Sequence, residues 1–332
     1  MTRKLHLDIG INGAFITRRW EDPENWMGLT AQLGFPCQEF CADVLDPFFS
    51  GDRTYQMQTA QATAAAARKY GVTICDIYTG VATHRFHGLS HSNEAVRARM
   101  RDWIVECMDI AKAMGVTRIG GHWDAFSVEV MGDAARFAEA KQRTYAQFRD
   151  LALIAKTKGM AALYNEQMYI PSEIPWTIQD AYDFMTAVNR GNNGVPVLLT
   201  VDVGHMAGMH YGSTGDDLDF RAWLRHFAPV AEIVHVQQTT PDASHHWPFT
   251  TSANEKGHVK MDEVLDCIRQ GHENWPKNPL SKFMQPVDQT WLIAEIIPGS
   301  TKHEDALLAE LKETTTYLRR FVPAGGLDWS IS

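Results

Sequence analysis

The sequence predicts an α/β fold, a (β/α)8 TIM barrel, and two observations carry this prediction. Eight short apolar runs rich in strand-forming residues alternate with longer segments of helical pattern. Such alternation favours a parallel sheet with crossover helices, and eight units over roughly 300 residues match the size of a closed barrel. A doubly wound open sheet is the rival. It usually carries a glycine-rich phosphate loop after its first strand, which DIGINGAF at 8–15 matches only weakly.

The predicted elements follow from local patterns along the 332 residues. The strands lie at 5–10, 36–41, 72–78, 117–122, 160–166, 196–202, 232–238 and 291–297. The helices lie at 54–71, 92–115, 133–159, 260–270 and 302–321, and the first three end at a glycine, a typical C-terminal signal. No low-complexity linker interrupts the chain. We therefore expect a single domain over 1–332, with a long loop at about 237–257 and a C-terminal helix at about 302–321.

Composition disfavours several classes of partner. The formal net charge of −9 repels nucleic acid and anionic lipid, and no apolar stretch reaches the roughly 18 residues of a membrane span. The five cysteines are an odd number without a CxxC pair, which indicates reduced thiols rather than a disulfide framework. The N-terminus lacks the long apolar segment of a signal peptide. We predict a cytoplasmic protein that binds neither nucleic acid nor membrane.

Polar residues lie at or near the ends of the four later predicted strands: Glu166, Asp202, His235 and Glu295. Barrel chemistry collects at the C-terminal ends of strands, so these side chains are expected to converge. Taken singly, each has a structural alternative, such as a helix cap, an ion-pair partner or a core histidine. Glu295 is the strongest candidate for a metal ligand, because a carboxylate buried within the apolar run WLIAEIIP needs a cation or a proton. Together the four predict a metal site.

The residue types indicate which metal. Three carboxylates and one imidazole suit Mn²⁺ or Mg²⁺ better than a closed structural zinc site, with Co²⁺ or Zn²⁺ as alternatives. Four protein ligands on an octahedral ion leave positions open for substrate oxygens, which is a catalytic arrangement.

These residues resemble the xylose-isomerase-like barrel superfamily of sugar and sugar-phosphate isomerases and epimerases, which includes the ketose 3-epimerases. In that family Glu, Asp, His and Glu from four successive later strands hold a divalent metal, and Glu166, Asp202, His235 and Glu295 occur in that order. The stretches MGVTRIGGH at 114–122 and GHVKMDEVL at 257–265 also resemble the family. Two features depart from it: Gln238 stands where many relatives have an acidic residue, and the loop at 237–257 is longer.

The resemblance implies a mechanism. The metal chelates two adjacent oxygens of an α-hydroxy carbonyl and stabilises the cis-enediolate that follows loss of a neighbouring proton. Glu166 and Glu295 each ligate through one oxygen and act as base or acid through the other. Proton return to the opposite face of the same carbon gives epimerisation, and return to the adjacent carbon gives isomerisation.

The substrate-binding candidates carry less specific signals. His205, in the DVGH sequence, corresponds to a family histidine that contacts substrate. His122 and Trp123 follow the fourth predicted strand, where an aromatic ring can stack on a sugar and His122 can equally bond a neighbouring loop. Arg85 is a phosphate partner or a rim residue. Lys260 is the remaining candidate. The histidines and tryptophan of SHHWPFT, at 244–250, form either a lid or loop packing.

Four functions follow from these patterns. The leading one is a divalent-metal-dependent isomerase or 3-epimerase of a short ketose, for example a tetrulose phosphate or an apiose-like pentose. The alternative is a metal-dependent lyase, a dehydratase or decarboxylase of a sugar acid, which would need an extra cation such as Lys256, Lys260 or Arg85. An endonuclease-like member is disfavoured by the acidic charge and the single clear metal histidine. A non-catalytic sugar-binding role would leave the carboxylates without metal. The expected partner is a small sugar or sugar phosphate, and a homo-oligomer is an open expectation.

Overall fold

The computed structural model describes residues 2–17, 19–79 and 88–331, and within them eight parallel strands close into a barrel. The strands are β1 Arg3–Asn12, β2 Cys37–Cys41, β3 Thr73–Tyr78, β4 Arg118–Gly120, β5 Ala162–Glu166, β6 Val197–Asp202, β7 Ile233–Val236 and β8 Gln289–Ala294. Each pairs with its neighbours in chain order, and β1 pairs in parallel with both β2 and β8, which closes the ring. The predicted (β/α)8 barrel is confirmed, and each predicted strand overlaps an observed one.

Helices surround the barrel. They are α1 Pro23–Leu33, α2 Arg53–Tyr70, α3 Glu94–Met114, α4 Val128–Met131, α5 Ala134–Lys158, α6 Ile178–Asn189, α7 Phe220–Phe227, α8 Thr251–Lys256, α9 Met261–Glu273 and α10 Glu304–Leu318. The five predicted helices correspond to α2, α3, α5, α9 and α10, with ends shifted by up to three residues. Every residue of β5, β6 and β7 is buried. One face of each strand packs inside the barrel, and the other face is covered by the helices.

Three helices of at least eight residues, α1, α6 and α7, were not predicted, although α1 has clear terminal signals. The Asp22 carboxylate accepts a hydrogen bond from the Asn25 backbone N–H, and Pro23 occupies the first helical position. Gly34 ends the helix with φ of 92°, a left-handed conformation that favours glycine. The α1 helix buries Trp26, Met27, Thr30 and Leu33.

The C-terminal segment adds an unpredicted strand, β9 Leu327–Ile331. It pairs antiparallel with the N-terminal half of β1, whereas the C-terminal end of β1 pairs with β2. The end of the chain therefore covers the β1 edge that β2 leaves open, and a buried edge needs such backbone partners.

The segment predicted as a long loop after β7 is partly ordered by local structure. The backbones of Gln238 and Trp247 exchange two hydrogen bonds, of 2.9 and 3.1 Å, and α8 lies within the predicted loop range. In the described part of the chain, no helix combines the length and the apolar character that a membrane crossing requires.

Candidate metal centre

The four residues predicted as metal ligands meet at the C-terminal end of the barrel. Glu166 and Asp202 are the last residues of β5 and β6, His235 lies in β7, and Glu295 follows β8 directly. One ligand atom from each lies within 4.8 Å of the others, and all four residues are buried. Parallel strands of a barrel end on the same side, so these chain positions bring the side chains together. We refer to the four residues as the ligand cluster.

His235 lies at the centre of the ligand cluster. Its Nδ1 is 3.0 Å from Oε1 of Glu166 and 3.3 Å from Oε2 of Glu295. Its Nε2 lies on the other side of the ring, 3.1 and 3.0 Å from the two carboxylate oxygens of Glu39. A carboxylate that accepts the Nε2–H fixes the ring orientation and directs Nδ1 toward the ligands, as is common for metal-binding histidines.

Glu39 is a functional candidate that the sequence analysis missed. It lies in the middle of β2, is fully buried, and accepts a hydrogen bond of 2.5 Å from the Asn12 side-chain amide. Burial raises the pKa of Glu39, while His235 acts in the opposite direction. The available signal was a charged residue inside the apolar run CQEFC, the same signal that marked Glu295.

Asp202 is held from two sides. The Gln237 side-chain amide donates to both of its carboxylate oxygens at 3.0 Å, and the Gly204 backbone N–H donates to Oδ1 at 2.5 Å. Burial raises the pKa of Asp202 to about 6. These donors fix the direction of the carboxylate before any ligand is bound.

The charges in the ligand cluster are unbalanced. Burial would raise the pKa of Glu295, but His235 and His246 outweigh burial and hold that pKa well below its ordinary range. The pKa of Glu166 is lowered for a similar reason, chiefly by His235. The carboxylates in turn raise the pKa of His235 well above its ordinary value, against the effect of burial. Among the described residues, no lysine or arginine forms an ion pair with the ligand cluster.

A divalent cation fits this donor set. The buried Oε2 of Glu295 has no hydrogen-bond partner within the described ranges, although two imidazole nitrogens lie 3.2 and 3.3 Å away. This buried oxygen has ionic contacts to the two imidazoles but no hydrogen bond, and a cation would complete its coordination. Three carboxylates and one imidazole match hard or borderline divalent ions, and no single metal among them is singled out.

The structure brings His205 to the ligand cluster. Its Nδ1 lies 2.9 Å from the Gln167 carbonyl oxygen, so Nδ1 must carry the proton and donate. Its Nε2 is 3.7 Å from Oδ2 of Asp202, and Nδ1 is 3.6 Å from Oε1 of Glu166. His205 therefore stands beside two ligands with a fixed ring.

The other predicted substrate contacts have different surroundings. His122 is buried with Nε2 3.5 Å from Oδ1 of Asp124, and Trp123 stacks on Phe148 of α5 with ring centroids 5.7 Å apart. Lys260 is exposed immediately before α9. Arg85 lies outside the described residues. The substrate contacts of these residues stay predictions.

His246 is a further residue at the site, and the sequence analysis placed it in a lid or in loop packing. Its Nδ1 lies 3.2 Å from Oε2 of Glu295, and its ring is edge-on to His205 with centroids 5.8 Å apart. The loop after β7 therefore contributes a third imidazole next to the carboxylates.

With the barrel and the ligand cluster established, comparison with known proteins assigns the family. The model of the xylose isomerase-like TIM barrel family matches residues 27–310. The chain belongs to this family, as its resemblance predicted.

The relatives include 3-epimerases of a ketose phosphate and of a ketose. The chain is 26% identical over 206 residues to a D-erythrulose 1-phosphate 3-epimerase of Brucella abortus strain 2308, a match that spans 62% of this chain and 66% of that relative. A Rhodospirillum rubrum protein described as a candidate xylose isomerase has a similar crystal structure, with a TM-score of 0.81 and 25% identity over 96% of this chain and 100% of that one. The D-psicose 3-epimerase of Clostridium cellulolyticum H10, solved with D-tagatose, shares the fold, with a TM-score of 0.67 and 17% identity over 95% and 99% of the two chains.

Proposed function

We propose that this protein is a divalent-metal-dependent 3-epimerase of a short ketose or ketose phosphate. The observation that carries the proposal is the ligand cluster, in which two glutamates from β5 and the end of β8 flank one histidine. The relatives that act on D-erythrulose 1-phosphate and on D-psicose support an isomerase-class sugar enzyme. The phosphorylated four-carbon ketose is the first substrate to test.

Glu166, Asp202, His235 and Glu295 would hold the metal. A divalent ion at this position would polarise the carbonyl and the adjacent hydroxyl of an α-hydroxy ketone, which makes the hydrogen on the hydroxyl-bearing carbon acidic. Mn²⁺ and Mg²⁺ are our first choices for a site rich in carboxylates.

The two glutamates transfer the proton. Glu166 directs Oε1 and Glu295 directs Oε2 toward His235, so each carboxylate retains a second oxygen for proton transfer. One glutamate removes the proton at C3, and the other returns a proton to the opposite face. The ligand cluster fixes both side chains, and fixed geometry is a large part of the rate enhancement in such transfers.

His205 binds a substrate oxygen. Its Nδ1–H is committed to the Gln167 carbonyl, so Nε2 is the atom that faces the site. His122, Trp123, Arg85 and Lys260 are proposed as outer contacts to the rest of the substrate. For the lyase alternative, Lys256 and Lys260 are both exposed, and no observation favours them as partners of a substrate carboxylate.

Deuterium exchange tests the proposal without a guess about the product. The protein is incubated in D2O with Mn²⁺ and a panel of four- to six-carbon ketoses, aldoses and their phosphates, and NMR follows loss of the C–H signals. We expect exchange at C3 of a ketose that stops with EDTA, and Glu295→Gln should stop it for the epimer whose proton Glu295 removes. A metal-loaded protein that exchanges no hydrogen in any sugar of the panel would refute the proposal for that panel.

A further inference from the structure

The two proposed proton-transfer residues have different imidazole neighbours besides the shared His235. Glu166 lies 3.6 Å from Nδ1 of His205, on the loop after β6. Glu295 lies 3.2 Å from Nδ1 of His246, on the loop after β7. Each glutamate therefore has an imidazole of its own, and neither of these two rings belongs to the ligand cluster.

The backbone at His246 is in an unusual conformation. It is the one non-glycine residue with positive φ, 51°, in the described part of the chain. A left-handed conformation is unfavourable for an L-residue, so the surrounding contacts must compensate for it. A residue held in such a conformation next to a site is a candidate for a functional role.

Gln237 supplies much of that compensation. Its Oε1 accepts the His246 backbone N–H at 2.6 Å, and its amide nitrogen lies 3.0 Å from the Ser244 hydroxyl oxygen as well as from the Asp202 carboxylate. The Ser244 hydroxyl lies 3.2 Å from Nε2 of His246. Gly204 makes room for Gln237, because a Cβ there would lie 2.4 Å from the Gln237 side-chain carbon.

The rest of the loop after β7 is held by contacts that do not involve the His246 ring. The Gln238 amide bonds the Asn254 side chain at 2.9 Å and the Val259 carbonyl at 3.1 Å, while its Oε1 accepts the Val259 backbone N–H at 3.0 Å. His245 stacks on Trp247 with ring centroids 3.9 Å apart. Removal of the His246 ring alone therefore leaves these anchors in place.

We propose that His246 is a positioning residue for Glu295, held by Gln237 in a left-handed turn, and that it serves the face of the substrate at which Glu295 transfers its proton. The inference rests on the proposed epimerase function. Its distinctive consequence is asymmetry: loss of the His246 ring impairs proton transfer at one face of C3 and spares the face that Glu166 serves.

The test compares the two C3 epimers as separate starting materials in D2O. The probes are D- and L-erythrulose 1-phosphate and the pair D-fructose and D-psicose. Glu295→Gln, measured at a metal concentration that saturates the variant, identifies the epimer whose proton Glu295 removes. His246→Gly is the main variant, because glycine accepts positive φ at no steric cost. His246→Asn is the second variant, since asparagine also tolerates this conformation.

We expect His246→Gly to slow deuterium incorporation into the epimer that depends on Glu295 by on the order of ten- to hundredfold, as displaced catalytic groups do. Incorporation into the other epimer should continue near the wild-type rate while interconversion falls. Both variants should retain metal content and unfolding temperature. His272→Gln, which changes a buried histidine on α9 away from the ligand cluster, should leave both rates unchanged.

Equal rate losses for the two epimers, or no loss, in metal-loaded His246→Gly and His246→Asn would overturn the inference and leave the proposed function standing. Absence of exchange in the wild-type protein with either pair of epimers would instead refute the proposed function for these substrates, and the inference with it.

Discussion

The carboxylates at the two ends of the barrel have different charge partners, and those at the C-terminal end are buried while Glu232 at the N-terminal end is partly buried. At the N-terminal end, Glu232 precedes β7 and accepts hydrogen bonds from Arg118, the first residue of β4, and from the Tyr164 hydroxyl. At the C-terminal end, the carboxylates of the ligand cluster and of Glu39 have imidazoles as their ionic partners. The Arg118–Glu232 ion pair is neutral overall, whereas carboxylates that outnumber their positive partners can bind a cation.

Two buried histidines, one at each end of the barrel, also differ in the charges around them. Carboxylates raise the pKa of His235 well above its ordinary value. Burial lowers the pKa of His272 to about 3, and the Arg3 guanidinium adds to this effect. Arg3 donates a hydrogen bond to Nδ1 of His272, so that ring must be neutral. Environment alone separates a histidine suited to a metal site from one with a structural role.

The largest expected effect comes from changing the carboxylates at the C-terminal end. Glu166→Gln and Glu295→Gln should each lower the epimerisation rate by about 10² to 10⁴, the usual contribution of a general acid or base. Glu232→Gln, at the other end, should lower the unfolding temperature and leave the rate constant per folded, metal-loaded protein unchanged. NMR of C3 exchange and a thermal melt measure the two quantities. A rate loss in Glu232→Gln equal to that in Glu295→Gln would show that the carboxylates at the two ends of the barrel do not differ in function.

A smaller effect is expected from Glu39, which contacts the ligand cluster through His235. Glu39→Gln should weaken metal affinity by about 10- to 100-fold, as losses of such supporting contacts do. Excess metal should restore most of the exchange rate. Asp8→Asn is the matched control, because Asp8 is also a buried strand carboxylate but pairs with Arg319 at 2.8 Å. Equal metal affinities of Glu39→Gln and wild type in calorimetric titration would argue against the role of Glu39.

The smallest effect concerns stability and uses His272. The pKa of His272 is about 6.5 in the unfolded chain and about 3 in the folded protein. Below pH 6.5 the unfolded chain therefore binds a proton at this residue that the folded protein does not. Stability therefore falls as the pH falls, by about 2 kcal/mol between pH 7 and pH 5 from this residue. Urea unfolding at both pH values should show this loss in wild type and its absence in His272→Gln. An identical pH dependence in the two proteins would show that His272 does not titrate in this way.

The strands could be predicted because each is a short apolar run that the barrel buries on both faces. The β9 strand could not, since its partner β1 lies at the other end of the chain and only the closed fold reveals the open edge. The α1 helix could have been predicted, because Asp22 and Pro23 are typical of a helix start and Gly34 of a helix end.

The ligand cluster could be predicted because chain order along parallel strands determines spatial order at the C-terminal end. Glu39 was accessible by the same reasoning, from a charge inside an apolar strand. The position of His246 was not, because it depends on a left-handed turn and on Gln237, which local sequence does not specify.

Calorimetric titration of the metal-free protein with Mn²⁺ tests most directly whether the C-terminal end of the barrel is a divalent-metal site. We expect one equivalent of bound metal and release of protons at pH 7, because the pKa of His235 is raised and this ligand must lose its proton to bind the metal. The heat should therefore differ between buffers of different ionisation enthalpy, and Asp202→Asn and Glu295→Gln should bind far more weakly. No saturable binding of Mn²⁺, Mg²⁺, Co²⁺ or Zn²⁺, or unchanged binding in both variants, would contradict a metal site there.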